Sequence, residues 1–260
     1  MKEQSIKISF LITHFNRPNQ LEMCVNKIKD LKLDCCEIVV SDDCSKKEVV
    51  DLIKTFSIDQ LVLAPFNQGL GANINKGIKA CKGEYLIYCQ EDFNVKESLK
   101  HILNECYSIL DENNINMIRF ISNVNFNKRF KLTRNVDLIP KFSFFNFYQN
   151  FYQYSDHPFI VRRLFFEQNG FYLENTSGDY GETEYAIRVC KSKIRIGITT
   201  ENQVVDALNN FSVIDRKVKQ NKIKLNKSVK KLLRAFRMYF EWLFYNKNKR
   251  GLITYKNGRQ

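Results

Sequence analysis

Between residues 6 and 121 the chain repeats one pattern: a short apolar run, then a longer stretch with helical spacing. Residues 6–13, 37–41, 61–64, 84–89 and 116–121 read as strands, and 18–31, 46–56, 70–80 and 96–110 as helices. Strands that are apolar at nearly every position need cover on both faces, and β-α repeats close as right-handed crossovers. The pattern predicts an α/β fold, a Rossmann-like, mostly parallel central sheet flanked by helices. It leaves no room for an all-β fold or a helical bundle.

In such sheets ligands gather at the carboxyl ends of the strands. The first strand ends in Thr13-His14-Phe15-Asn16-Arg17-Pro18 and the second in Ser41-Asp42-Asp43-Cys44-Ser45. Asn67-Gln68-Gly69-Leu70-Gly71 follows the third, and Gln90-Glu91-Asp92 ends the fourth. Acids at two neighbouring strand ends can grip a ribose and a divalent cation such as Mg²⁺ or Mn²⁺. The same acids can instead form Asx turns or cap the next helix.

ISFLITHFNRP, EIVVSDDCS and NQGLGANINKGIKACKGEYLIYCQED, in this order and spacing, resemble a family 2 glycosyltransferase of GT-A fold over roughly residues 6–95. The resemblance implies a nucleotide-sugar donor, most simply a UDP-sugar, a divalent metal, and inverting transfer to a hydroxyl of a glycan or glycolipid acceptor. It places Thr13, Phe15 and Asp42 around base and ribose, with Asn75 nearby and Asp43 beside them or in the turn. Gln90-Glu91-Asp92 falls on the family's metal motif, with Gln in place of the first acid, so Asp92 is the expected ligand and Glu91 the reserve. Ile74 stands where the family carries an arginine. Glu182 matches the general base, with Glu184 and Asp179 as further candidates; all three also suit the first turns of a helix. No histidine follows Glu182, so Asp206 is expected to stand in for a downstream metal ligand. His157 suits the acceptor side or a packed turn, while His14 and His101 suggest no role beyond packing and surface.

Residues 142–154 hold eight aromatics, which suit either core packing or a platform for a sugar or lipid acceptor. From Arg216 to the end there are fifteen Lys/Arg against one acid, so the net +13 belongs to the tail and the remainder is near neutral. That distribution argues against nucleic acid, whose readers carry their basic stripe on the folded body. The expected organisation is a domain over 1–215 and a basic amphipathic helical extension over 216–260. Within it, residues 228–245 read as a helix with Val229, Leu232, Leu233, Phe236, Phe240 and Leu243 on one face and basic residues with Glu241 elsewhere. Such a helix can lie on an anionic membrane, dock on its own domain or bind a partner. No apolar run nears the ~20 residues of a spanning helix, no leader is read, and the eight cysteines lack metal-type spacing. The expected location is cytoplasmic, peripheral to the inner face of the membrane. Two other functions fit less well: a silent nucleotide-sugar-binding scaffold at the membrane, and a nucleotidyltransferase, which would want glycine after the first strand.

Overall fold

The computed structural model describes residues 6–112, 115–121, 124–206 and 226–255. Strands β1 (Ile8–His14), β2 (Cys36–Asp42), β3 (Gln60–Leu63) and β4 (Tyr85–Gln90) alternate with helices α1 (Pro18–Asp30), α2 (Lys47–Ile53) and α3 (Leu70–Ala80). There follow β5 (Phe93–Val95), α4 (Ser98–Asp111), β6 (Met117–Arg119), β7 (Phe130–Lys131), β8 (Val136–Leu138), β9 (Phe159–Arg162), α5 (Phe165–Asn169), α6 (Gly178–Lys191), β10 (Ile196–Thr199), β11 (Val204–Asp206) and α7 (Lys227–Phe244).

Nine strands form one sheet in the order β3-β2-β1-β4-β9-β6-β10-β8-β7. The first four are parallel, with His14 beside Asp42 and Thr13 beside both Ser41 and Gln90, so three strand ends meet on one edge. The mostly parallel sheet matches the expectation, with two additions. β8 runs antiparallel between β10 and β7. β9 runs antiparallel between β4 and β6. Its four residues are too few to show a period, and its pairing partners lie 40 or more positions away in sequence. β5 and β11 form a separate antiparallel pair.

Side chains of the central strands alternate between two cores. Phe10, Ile12, Ile38, Val40 and Ile87 join α1 and α4 on one face, while Leu11, Val39, Leu86 and Tyr88 join α3 and α6 on the other. Burial on both faces is the reason these strands read as continuous apolar runs. α3 lies close against the sheet, because a Cβ on Gly77 would stand 2.2 Å from Leu11 Cδ1. Gly69, at φ +83°, turns the chain into α3. All eight cysteines are free thiols.

α7 settles one of the alternatives for the tail. It docks on its own domain through a narrow strip, Ala235, Met238 and Glu241, packed near Phe151, Tyr180 and Ile187. The broader stripe of Val229, Leu233, Phe236, Phe240 and Leu243 remains exposed, at 41–62%. Glu241, expected on the polar surface, is instead fully buried and accepts from the backbone N–H groups of Ile253 and Thr254, which folds the chain end back over the helix. Residues 216–225 of the expected extension lie outside the described residues. Among the described residues no helix is long and apolar enough to cross a membrane.

Residues 142–154 are only partly core. Phe151 and Tyr154 are buried, whereas Phe142, Phe144 and Phe145 are exposed. Phe147 stacks on Tyr239 of α7 at 4.8 Å between ring centroids.

Candidate active site

The loops after β1 and β2 are tied together. His14 Nε2 accepts the Arg17 backbone N–H at 3.1 Å, which assigns the ring proton to Nδ1, and Nδ1–H donates to Asp42 Oδ2 at 2.7 Å. Asp42 also accepts from Ser45 N–H at 2.8 Å and from the Ser45 hydroxyl. Burial pushes its carboxyl up, but these hydrogen bonds outweigh it and leave Asp42 below the usual range. Asp43 accepts from the backbone N–H groups of Gln68 and Gly69 at 2.8 and 2.9 Å, clamping the turn before α3.

Several expected donor contacts therefore have internal work. Thr13 is 2% exposed and pairs with the Tyr88 hydroxyl. Asn75 is buried, and its amide holds Tyr172 N–H and C=O and the Glu174 carboxylate, fixing the loop before α6. Asp42 is fully buried with its donors in place. Phe15 is half-buried at the edge.

The end of β4 is different. Arg17 Nη1 lies 3.1 Å from Asp92 Oδ2 and 3.6 Å from Glu91 Oε1. Burial, then the Asp92 carboxylate, push Glu91 up to about 8 against the pull of Arg17. Asp92 Oδ1 is buried and has no hydrogen-bond partner among the described residues. The β5–β11 ladder sets Asp206 opposite Phe93, one residue beyond Asp92, and burial together with the Asp92 charge raises the Asp206 carboxyl. Among the described residues no three His, Cys, Asp or Glu side chains cluster as a metal cage. Mg²⁺ and similar ions, however, are commonly held by one or two carboxylates plus substrate phosphates. An orphaned Asp92 oxygen with a second carboxylate across the ladder fits that sparse donor set.

A second group of charges lies along the same wall. The Phe93 ring packs edge-on against His157 at 5.4 Å. Gln90 Nε2 approaches the Asp156 carbonyl at 3.5 Å. Asp156 and Glu182 hydrogen-bond through their carboxyls, and burial plus the Glu182 charge hold Asp156 well above the carboxylate range. Asp156 therefore keeps its proton and donates it to Glu182. Arg119, fully buried at the end of β6, donates to the carbonyls of Tyr152 (2.7 Å) and Gln153 (3.2 Å) and to Ser155 Oγ (3.3 Å). Burial lowers it to about 10, and the Glu182, Tyr154 and Asp156 charges oppose that. Burial and then Arg119 lower His157 to about 4, so its ring is neutral at pH 7.

Glu182 reaches space that a substrate can enter. With Asp179 it lines a cavity of about 650 Å³, and with Asp156, Gly71 and Ile74 it borders a small crevice at the start of α3. Glu184 is a correction to the expectation. It is fully buried and accepts from Tyr245 Oη at 2.6 Å and Arg250 Nη2 at 3.2 Å, with Arg188 Nε 3.4 Å away. It fastens the chain end to α6 and has no route to an acceptor. Glu184→Ala is expected to cost about 3 kcal/mol by leaving the two guanidinium groups without their buried counter-charge; chemical denaturation measures it, and a loss under 1 kcal/mol would contradict the assignment.

Arg17, Arg119 and Asp156 carried no role in the sequence reading. Arg17 stood in the NRP turn and Asp156 beside His157 and Pro158, yet nothing local tied either to an acid 75 or 26 positions away.

Comparison with known proteins bears on the fold and the family. The chain is 24% identical over 154 residues to the GalNAc(5)-diNAcBac-PP-undecaprenol β-1,3-glucosyltransferase of Campylobacter jejuni, covering 53% of this chain and 49% of that protein. The chain spans between 26% and 49% of the length of the curated relatives it matches. Its fold is shared with S. aureus TarS in complex with UDP-GlcNAc, at a TM-score of 0.60 and 14% identity over 94% of this chain and 77% of that one. It is shared also with the mannosyltransferase PcManGT of Pyrobaculum calidifontis in complex with GDP-Man and Mn²⁺, at 0.56 and 13% over 80% and 58%. The fold is thus GT-A, and the family model for glycosyl transferase family 2 matches residues 9–170. With that match spanning more than half the chain, from β1 through the acid-bearing strand ends to the loop after α5, this protein belongs to glycosyl transferase family 2.

Proposed function

We propose that the chain transfers a sugar from a nucleotide-sugar donor, a UDP-sugar in the simplest case, to a hydroxyl of a glycan or glycolipid, with inversion at the anomeric carbon. The observation that carries this reading is the Asp156–Glu182 pair on one wall with the Glu91–Asp92 strand end. Two acid groups, one opening on a cavity and one on a strand edge, match the needs of base and leaving group.

In the proposed step the acceptor oxygen attacks the anomeric carbon while Glu182 takes its proton. The bond from that carbon to the diphosphate oxygen breaks on the opposite side, and its electrons leave with the nucleoside diphosphate. Asp156, already protonated, donates to Glu182 and aims it. Arg17 lies beside the strand end where a diphosphate would sit and supplies a cation there. Asp92, with Asp206 opposite, would hold Mg²⁺ or Mn²⁺, whose charge offsets that of a diphosphate. The mannosyltransferase neighbour solved with GDP-Man and Mn²⁺ supports that part of the reading.

The test is release of nucleoside diphosphate from a panel of UDP- and GDP-sugars, with Mn²⁺, Mg²⁺ or chelator. Turnover with one donor is the expected result; donor binding without turnover, across varied acceptors, would favour a silent scaffold instead.

The exposed stripe of α7, together with Phe144 and Phe145, supports docking on an anionic membrane, at the cytoplasmic face. Phe144 is 84% and Phe145 72% exposed, and the stripe continues through Phe236, Phe240 and Phe244. Phe236→Glu with Leu243→Glu is expected to abolish sedimentation with phosphatidylglycerol vesicles without lowering the melting temperature. Unchanged sedimentation would remove the stripe from this role.

A further inference from the structure

The basic residues of α7 are not spread evenly around its exposed apolar stripe. At 100° per residue Lys231 and Arg234 fall opposite the stripe, flanking the strip that docks on the domain, while Lys230 and Arg237 lie on the border between the two. Two cavities open beneath them. One, of about 610 Å³, sets Lys230, Lys231 and Arg234 across from Asn125, Asn127 and Tyr148. The other, of about 650 Å³, sets Arg234 and Arg237 across from Asp179 and Glu182. Arg234 lines both, and a crevice lined by Tyr152, Glu182 and Arg234 lies between them. The result is a groove under α7 that ends at Glu182.

Three of these cations are held in place. Lys231 lies 4.8 Å from the Tyr148 ring, Arg234 5.0 Å from Tyr152 and Arg237 5.3 Å from Tyr255. Among the described residues none of the four forms an ion pair with an acid, although exposed basic side chains usually find one where acids are near. Cations stacked on rings have lost part of their rotamer freedom, so an incoming anion meets them at lower entropic cost. The groove also offers a polar group of the opposite kind. Gln149 is 7% exposed, and its buried Oε1 has no donor. A phosphate oxygen cannot satisfy that atom, but a sugar hydroxyl can.

We propose that the groove binds an acceptor glycan carrying phosphate, as a phosphodiester or a diphosphate, with its reacting hydroxyl at Glu182. This rests on the reading of Glu182 as the acceptor side of the site. Guanidinium and ammonium groups take the phosphate, the amide row and Tyr148 take the sugar, and the apolar stripe on the far side is left for a surface. Anion contacts therefore centre on the docked side of the helix, with Arg237 at the border of the apolar stripe.

The experiment titrates the full chain with three probes: a disaccharide joined by a phosphodiester, farnesyl-diphosphate-linked N-acetylglucosamine, and a neutral disaccharide of the same sugars. At least one phosphate-bearing probe is expected to bind roughly tenfold or more tightly than the neutral one and to weaken with added salt. Arg234→Gln with Arg237→Gln should remove that preference while leaving UDP affinity unchanged. Lys230→Gln with Lys231→Gln, which spares the cavity at Glu182, repeats the test if the arginine pair melts early. Which probe binds distinguishes a phosphate within the glycan from one on a lipid carrier. Equal affinity for charged and neutral probes overturns the proposal. So does a loss, in the charge variants, of phosphatidylglycerol vesicle binding alone. Failure of the wild type to bind UDP would count against the donor site, whereas intact UDP binding without phosphate preference counts only against the groove.

Discussion

Glu182→Gln is expected to lower turnover by roughly 10²–10⁴-fold, the usual contribution of a positioned general base. Gln keeps the size of the side chain and can still accept from Asp156 through its carbonyl oxygen, so folding should survive. What it loses is the ability to take the acceptor proton. The effect should fall on kcat, with donor KM little changed. Asp156→Asn supplies the contrast, because the amide N–H₂ donates to Glu182 as the protonated acid does. That variant should stay within about tenfold of wild type, on the scale of one hydrogen bond. Full activity in Glu182→Gln would remove it as base and turn attention to Asp179, which lines the same cavity.

The same pair sets a pH dependence. Asp156 is held well above the carboxylate range by burial and by Glu182, so it stays protonated as pH rises through the range where exposed carboxyls ionise. A group raised in the folded state stabilises the fold below its folded value and stops doing so above it. Stability from this contact is therefore full only below the ordinary carboxylate range and is lost progressively as pH rises from there through the raised folded value. Asp156→Asn should flatten that decline in melting temperature.

Asp92→Asn is expected to cut transfer by roughly 10²–10³-fold, since charge stabilisation by a bound metal is worth several kcal/mol. It should also abolish any Mn²⁺-dependent gain in UDP affinity, which is measurable without turnover. The physical basis is the Asp92 Oδ1 atom, buried and without a donor. A neutral amide offers a metal one weaker oxygen and no charge. The fold should tolerate the change, because the Arg17 contact it removes is partly solvated and such pairs contribute about 1 kcal/mol or less. Wild-type UDP affinity and Mn²⁺ response in this variant would place the metal elsewhere. Asp206→Asn should have a smaller effect of the same sign.

The membership in family 2 and the division of charge both follow from order along the chain. Strands buried on both faces announce themselves as apolar runs, and the polar residues after each run must then meet at one sheet edge. Glu182 became a candidate only through the family resemblance, by its place ahead of Arg188. Short-range pattern carries that much because strand and helix periods are local properties of the backbone.

The partners of each side chain were not legible in that way. Asp42 and Asp92 look alike in sequence, each an acid after a buried strand. Three internal donors close Asp42, whereas Asp92 keeps an oxygen without one. Glu182 and Glu184 differ by two positions on one helix, and that rotation of about 200° turns one to a cavity and the other into a buried ion pair. The tail showed how charge and apolar surface were mixed in composition, but only docking through Ala235 and Met238 decided that cations face the groove and phenylalanines face outward. Sequence determined the sheet, the edge where its polar residues gather and the family. Tertiary structure decided which acids at that edge are closed by internal donors and which are not, because burial and pairing depend on segments brought together from far apart in the chain.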